Sequence, residues 1–313
     1  MSDSPSSGAE ILRSLYADWS AVMADRPDLD VRLLRSLFDE WHQATAEPTE
    51  VTYADDVVGG VPGIWALPVG ADRGRVVLYT HGGGFAVGSA ASHRKLAGHL
   101  AKALGATAFV LDYRRAPEQC HPAQVEDGVA AFDGLMQRGI AAADVVTAGD
   151  SAGGNLAIAV PLALRERGGP LPGAVIAFSP WLDMQNTGAT LESNAATDAL
   201  VSVPLLAGMI AGVLGDTGEG PAVDPANPLA NPLHADLGGF PPVFVNAGGA
   251  EALLDDAVRF TERARLAGVD VTLSVVEGMQ HVFPFAAGRG GEADAELAAV
   301  AQWYRSRRAG VAA

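Results

Sequence analysis

The sequence predicts an α/β fold, a mostly parallel sheet with helices on both of its faces. Short apolar runs rich in β-branched residues alternate from residue 76 onward with segments whose apolar positions recur at helical spacing. Two glycine-rich stretches each follow directly on one of those runs. The alternation lapses once, between Asp183 and Pro242, in a long insert rich in Ala, Gly, Pro and Asn. Taken together these features fit one large domain with an accessory element, or two small ones.

Each element has its own local cause. Ile11, Leu12, Leu15, Trp19, Val22 and Met23 recur at helical spacing among charged residues, which predicts an amphipathic helix over 9–23. Pro27 opens a second helix, whose apolar face uses Val31, Leu34, Leu37, Phe38 and Trp41. The polar faces of both are rich in Asp and Glu, so they are expected to pack over the main domain; a membrane surface needs a basic face. Extended segments over 50–58 and 63–69, separated by Gly59 and Gly60, predict an antiparallel hairpin. Strands follow over 76–80, 106–112, 145–148, 174–178, 243–246 and 271–276. Helices are expected over 92–104, 122–138, 253–266 and 293–307. A further helix leaves the 145–148 strand and ends near Arg167; Pro161 inside it predicts a kink or a shortened first half. The insert follows a strand's carboxyl end, where open α/β sheets bind ligands, and is a candidate lid. Its uncharged run over 199–215 contains Pro204, is too short to span a bilayer comfortably, and reads as a buried helix or part of that lid.

Bulk composition excludes several partners. The net charge of −16 repels polyanions, so nucleic acid and anionic membrane surfaces are not expected, nor is membrane insertion. Arg305, Arg307 and Arg308 read as the solvated end of the last helix, where cations suit the macrodipole. A single cysteine, Cys120, excludes an intrachain disulfide, and with no apolar leader near the N-terminus the chain reads as cytoplasmic. Residues 1–8 read as a frayed tail.

The stretch around which the chain is organised is Gly149-Asp150-Ser151-Ala152-Gly153, a Gly-x-Ser-x-Gly between a strand and a helix. A serine hydroxyl is a poor nucleophile in water, so an enzyme that uses one must expose it and give its proton a destination. Small residues two before and two after Ser151 let the chain turn sharply and lift the side chain above the sheet edge. The helix behind it points its first amides at the place where negative charge would develop. After the 76–80 strand stands His81-Gly82-Gly83-Gly84-Phe85, whose glycines leave the backbone amides unshielded, as a tetrahedral oxyanion requires. A phosphate cradle would need glycine at 87, where Val87 stands, and no Walker-type motif occurs, so no nucleotide cofactor is expected.

The general base must be a histidine late in the chain, after a strand. His281 has that placement. His81 is expected to hold its loop through a hydrogen bond, while His42, His121 and His234 read as surface or packing residues. His93 and His99 lack an acidic partner at ligand spacing, and His-Glu-x-x-His is absent, so no metal is expected. Nothing around Cys120 would stabilise a thiolate. The orienting carboxylate must come from Glu251, Asp255 or Asp256, all after the 243–246 strand. Position favours Glu251, nearest the strand end, since Asp255 and Asp256 fall where they would serve the next helix's dipole.

With His81-Gly82-Gly83-Gly84-Phe85, Tyr113-Arg114-Arg115-Ala116-Pro117-Glu118, Gly149-Asp150-Ser151-Ala152-Gly153-Gly154-Asn155 and Gly278-Met279-Gln280-His281-Val282-Phe283 in this order, the chain resembles the hormone-sensitive-lipase-like group of α/β-hydrolases, the bacterial family IV carboxylesterases, from roughly residue 45 to the end. The resemblance implies an α/β-hydrolase fold with a mostly parallel eight-stranded sheet flanked by helices and a helical cap. Residues 1–45 and 183–225 would form the cap, and 46–182 and 226–313 the two parts of the core. It implies an oxyanion hole from the amides of Gly83, Gly84 and Ala152, with Ser151 and His281 catalytic. The family's usual Asp-Pro-Leu-x-Asp-Glu is replaced by Glu251-Ala252-Leu253-Leu254-Asp255-Asp256, so Glu251 takes the aspartate's place, and Arg115 replaces a usual leucine. The activity implied is hydrolysis of short- to medium-chain carboxylic esters through an acyl-enzyme on Ser151, without a cofactor. Rival readings are lactone hydrolysis or peptidase action on the same residues, or a silent small-molecule-binding protein like the plant gibberellin receptors, which resemble this family but have lost the histidine kept here as His281. Relatives are often dimeric, which leaves room for a homodimer that the sequence does not itself signal.

Overall fold

Eight strands form one sheet in the order β1-β2-β4-β3-β5-β6-β7-β8. The computed structural model describes residues 8–311 apart from Pro27, Thr217 and Glu219. Strands β1 (Val51–Val58) and β2 (Val61–Pro68) make the expected hairpin, and β2 pairs antiparallel with β4 (Ala106–Leu111). Every other pairing is parallel, through β3 (Asp72–Thr80), β5 (Val145–Asp150), β6 (Ala174–Phe178), β7 (Val243–Gly248) and β8 (Val271–Val276). The chain leaves β3 in one direction toward β4 and returns past it to β5. This reversal makes the carboxyl ends of β3 and β5 a topological switch point, where such sheets bind their ligands.

Helix α3 (Ala90–Leu104) lies on one face, where it packs with α9 (Gly291–Val311), and α4 (Ala123–Gln137), α5 (Ala152–Glu166) and α8 (Leu254–Leu266) lie on the other. Alternation along the strands fills both sides. Val175 and Ala177 of β6 face the layer that holds Phe260, whereas Ile176 and Phe178 face the larger core. Before the sheet come α1 (Gly8–Asp25) and α2 (Val31–Phe38); within the insert lie α6 (Thr190–Ser193) and α7 (Val203–Leu214).

The differences from expectation have local causes. Pro27 lies outside the described residues, and the second helix begins at Val31, with the Asp30 carboxylate accepting the amides of Arg32 and Leu33. Trp41 falls in a short 3-10 turn after α2. Residue 8, assigned to the tail, already belongs to α1. Strand β3 starts at Asp72, ahead of its apolar run, and a register shift separates Asp72 from Val76; its polar opening carries no hydrophobic signal. Helix α7 is neither wholly buried nor wholly exposed: Leu206, Val213 and Leu214 are covered while Val203 faces out. Arg307 and Arg308 pair with Asp270 and Asp144, both at 2.7 Å, where simple solvation was expected. Among the described residues, no helix is long and apolar enough to cross a membrane.

Pro161 does not shorten α5, which runs unbroken from Ala152 to Glu166. A proline has no N–H, so the carbonyl four residues earlier, that of Ala157, loses its helical donor. The Thr147 hydroxyl on β5 fills the vacancy, donating to Ala157 O at 2.8 Å. Thr147→Val keeps the shape but strands a buried acceptor. It is expected to cost about 1–3 kcal/mol, measured as a lower urea midpoint at unchanged slope.

Candidate active site

Strand β5 delivers Ser151 into a backbone conformation, φ 53° and ψ −120°, that L-residues seldom adopt. Three hydrogen bonds hold it there. Its N–H donates to Phe178 O at 2.9 Å, and its carbonyl accepts the amides of Asn155 and Trp181, both at 3.0 Å. The turn is also squeezed from below. A Cβ at Gly149 or Gly153 would collide with the carbonyl oxygen of Thr80, which explains the small residues flanking the serine. The Thr80 hydroxyl staples the same approach by donating to Gly153 O at 2.7 Å.

The glycine loop therefore leaves β3 beside the serine. Gly83 and Gly84 have φ of 107° and 58°. His81 Nδ1 sits 2.8 Å from Gly82 O, the loop-holding hydrogen bond expected of it, and its ring stacks at 4.1 Å on Tyr113, whose hydroxyl donates to His81 O at 2.7 Å. Burial, helped by the positive field of Arg115, holds the His81 imidazole well below its ordinary pKa, so it stays neutral. Arg115 is tied to the far end of the loop, donating to Gly88 O at 2.6 Å.

His281 follows β8 and is buried with its Nδ1 3.5 Å from Glu251 Oε2, a contact longer than a closed hydrogen bond. Burial alone would lower the imidazole's pKa. The Glu251 carboxylate beside it, with Asp198 and Asp150 further off, outweighs that cost and raises it above 6.5. The rival acids are engaged elsewhere: Asp255 pairs with Arg259 at 2.7 Å, and Asp256 accepts the amides of Leu182 and Asp183 at 2.8 and 2.9 Å.

Ser151, His281, Gly83 and Gly84 line one narrow cavity of about 30 Å³. Phe38 and Trp41 close it from the N-terminal segment, Leu205 and Met209 from α7. Ala152, the first residue of α5, lies buried next to the serine, and Glu251 stands behind His281. Larger clefts elsewhere, one around Asp183 and Arg259 and another around Gly59 and Asp133, hold none of these residues. Among the described residues, no group of three or more His, Cys, Asp and Glu is placed to hold a metal ion.

A family model for the alpha/beta hydrolase fold matches residues 77–285. An acetyl-hydrolase of Streptomyces hygroscopicus is 42% identical over 72% of this chain and 73% of its own length. An esterase of Acinetobacter venetianus is 34% identical over 75% of the chain and 76% of its own. The crystal structure of an esterase from the bacterial hormone-sensitive lipase family superposes with a TM-score of 0.89 at 37% identity, over 98% of this chain and 99% of that one. The chain belongs to the hormone-sensitive-lipase-like carboxylesterases of the α/β-hydrolase superfamily. It is a carboxylic ester hydrolase.

Several polar supports of this carboxylesterase's site carry no motif. Ser179, fully buried just after β6, donates its hydroxyl to Glu251 Oε2 at 2.6 Å and accepts the amide of Val282 at 2.9 Å, so one side chain steadies the residue after the histidine and the carboxylate behind it. Tyr16 of α1 donates to His281 O at 3.0 Å and accepts from Trp41 Nε1 at 3.2 Å. Asp198 accepts the amides of Leu200, Val201 and Ala252 at 2.7–2.8 Å, fixing the insert against the Glu251 loop. His93 does have an acidic neighbour, Asp150 at 3.4 Å, contributed by a strand distant in sequence. Because Glu251 is the largest influence lifting His281 above its ordinary value, Glu251→Gln is expected to leave burial opposed only by the more distant Asp198 and Asp150. The imidazole should then titrate below 6.5, as read by NMR of the His281 ring against pH.

Proposed function

We propose that this carboxylesterase hydrolyses short-chain carboxylic esters by acyl transfer to Ser151, with His281 as general base and then acid, Glu251 as the orienting carboxylate, and the amides of Gly83, Gly84 and Ala152 as the oxyanion hole. The observation that carries the reading is the shared cavity, in which the serine, the imidazole and the glycine loop face one small apolar space. The proton on Ser151 Oγ passes to His281 as the oxygen attacks the ester carbonyl, and the carbonyl oxygen takes the negative charge against the amides. The C–O bond to the alcohol then breaks, the alcohol leaves with the proton from His281, and water repeats the sequence on the acyl-enzyme. Each oxyanion donor contributes about 10²- to 10³-fold in rate.

Cavity size supports a small acyl group, since about 30 Å³ is far below the volume of an ordinary ligand pocket. The relative named acetyl-hydrolase agrees with that preference. Glu251 is supported over Asp255 by its burial, by its contact with His281 and by Asp255's engagement with Arg259. We further propose residues 1–45 and 183–225 as the cap over a core of 46–182 and 226–313; Phe38, Trp41, Leu205 and Met209 reach the cavity from those two segments. The lone Cys120 supports a cytoplasmic location, and the family resemblance alone supports a homodimer.

Turnover of p-nitrophenyl acetate and butyrate is expected to exceed that of the decanoate by at least about tenfold in kcat/KM, the scale of a few misfitted methylenes. Ser151→Ala should abolish all three; residual turnover at more than a thousandth of wild type would refute the nucleophile. In a second comparison, Glu251→Ala should lower kcat by about 10³- to 10⁴-fold, while Asp255→Ala stays within about threefold. The reverse ranking would transfer the acid's role to Asp255.

A further inference from the structure

Behind the glycine loop lies a second group of buried titratable side chains that the acylation steps do not use. Asp150, His93, His81 and Tyr79 are all fully buried, and Asp150 is the residue immediately before the serine. Its Oδ1 accepts the Tyr79 hydroxyl at 2.8 Å and the Gly82 amide at 3.2 Å. Its Oδ2 has no closed hydrogen bond and stands 3.4 Å from His93 Nε2.

His93 has polar neighbours at both ring nitrogens. Nδ1 lies 2.9 Å from the Ser92 hydroxyl and 3.2 Å from Ser89 O. Nε2 lies 3.3 Å from the Gly82 amide, which donates toward it, and 3.4 Å from Asp150 Oδ2, so the ring and the carboxylate meet at the same backbone N–H. The ring has little freedom to turn away, for Trp41 and Phe285 meet it edge-on at 5.4 and 5.0 Å.

We propose that His93 and Tyr79 are positioning residues for ester hydrolysis: Tyr79 holds the Asp150 carboxylate, and that carboxylate and the His93 ring together clamp the Gly82 amide and thereby set the donors of Gly83 and Gly84 against Ser151. The inference rests on the roles proposed above for Ser151 and the two glycines. Asp150 is covalently joined to the nucleophile and hydrogen-bonded to the residue preceding the first donor, so it is the shortest polar link between the two halves of the reaction centre. The glycines have no side chains with which to fix themselves. A loop of that kind keeps its amides aimed only if something behind it grips the backbone, and a misplacement of about 1 Å costs on the order of 10²-fold in rate. None of these side chains needs to touch the substrate.

The test compares wild type with His93→Phe, His93→Gln, Tyr79→Phe and Ser151→Ala. It reads kcat and KM on p-nitrophenyl acetate, the inhibition constant of 1-butaneboronic acid, whose boron becomes tetrahedral on a serine oxygen, and the melting temperature. His93→Phe and Tyr79→Phe are expected to lower kcat about 10- to 100-fold with KM within about threefold, and to weaken the boronic acid in proportion. His93→Gln, which restores an acceptor, should recover part of both losses; equal loss in Gln and Phe would overturn the hydrogen-bonding role of His93. A lower melting temperature with kcat per folded molecule and boronic acid affinity unchanged would mean a merely structural cluster and overturn the proposal. If His93→Phe does not fold, Tyr79→Phe, which deletes one hydroxyl, decides the matter by the same readings. Retained turnover in Ser151→Ala would instead overturn the nucleophile assignment itself. Inactive Ser151→Ala beside wild-type kcat in Tyr79→Phe would sink only the clamp.

Discussion

The carbonyl oxygen of Thr80 lies so close to the α-carbons of Gly149 and Gly153 that neither position can carry a side chain. That abutment of the end of β3 on the turn after β5 is the constraint on which the rest of the centre depends. It puts the glycine loop, which begins one residue after Thr80, alongside the serine, and it does so at the reversal of strand order where the sheet leaves a crevice. The unfavourable φ of Ser151 persists because its amide is bonded to the last residue of β6, and its carbonyl to α5 and to the segment that follows β6. Strain at one residue is thus maintained by hydrogen bonds from three elements.

Two buried imidazole–carboxylate pairs flank the serine, and they differ in what they face. His281, backed by Glu251, opens onto the cavity, where a proton can be exchanged with a reacting group. His93, beside Asp150, is sealed among aromatic rings, with its Nε2 against the Gly82 amide of the glycine loop. In the roles proposed above, the same chemical pairing would support proton transfer in one place and fixed geometry in the other. Solvent and substrate access decide between them, more than residue type does.

What could be read from the sequence was what local backbone chemistry dictates. Gly149, Ser151 and Gly153 are recognisable because a sharp strand-to-helix turn tolerates so few residues, and Gly82-Gly83-Gly84 because nothing else exposes consecutive amides. The place of Glu251 after β7 was legible, although nothing in its neighbours distinguished it chemically from Asp255. Ser179 was not legible. Its hydroxyl meets Glu251 across 72 residues of chain, and a lone serine before Pro180 looks like any other. His93 was judged by spacing along its own helix, whereas its acidic neighbour comes from β5. The polar opening of β3 and the unbroken passage of α5 through Pro161 escaped for a related reason, since both are settled by a strand or side chain from elsewhere in the fold. Periodicity reports an element's own face; it is silent on what another element lends it.

Phe38 and Trp41 bound the reactive space from a stretch that precedes the segment shared with the family model, which begins at residue 77. Trp41 is constrained by its bond to Tyr16, and through it by His281. Phe38 has no such polar tie, so exchanging that ring reshapes the chamber while leaving the elbow and its hydrogen bonds alone. Evolutionary drift in taste for one ester over another has an inexpensive place to begin there, away from the serine, the imidazole and the glycine loop.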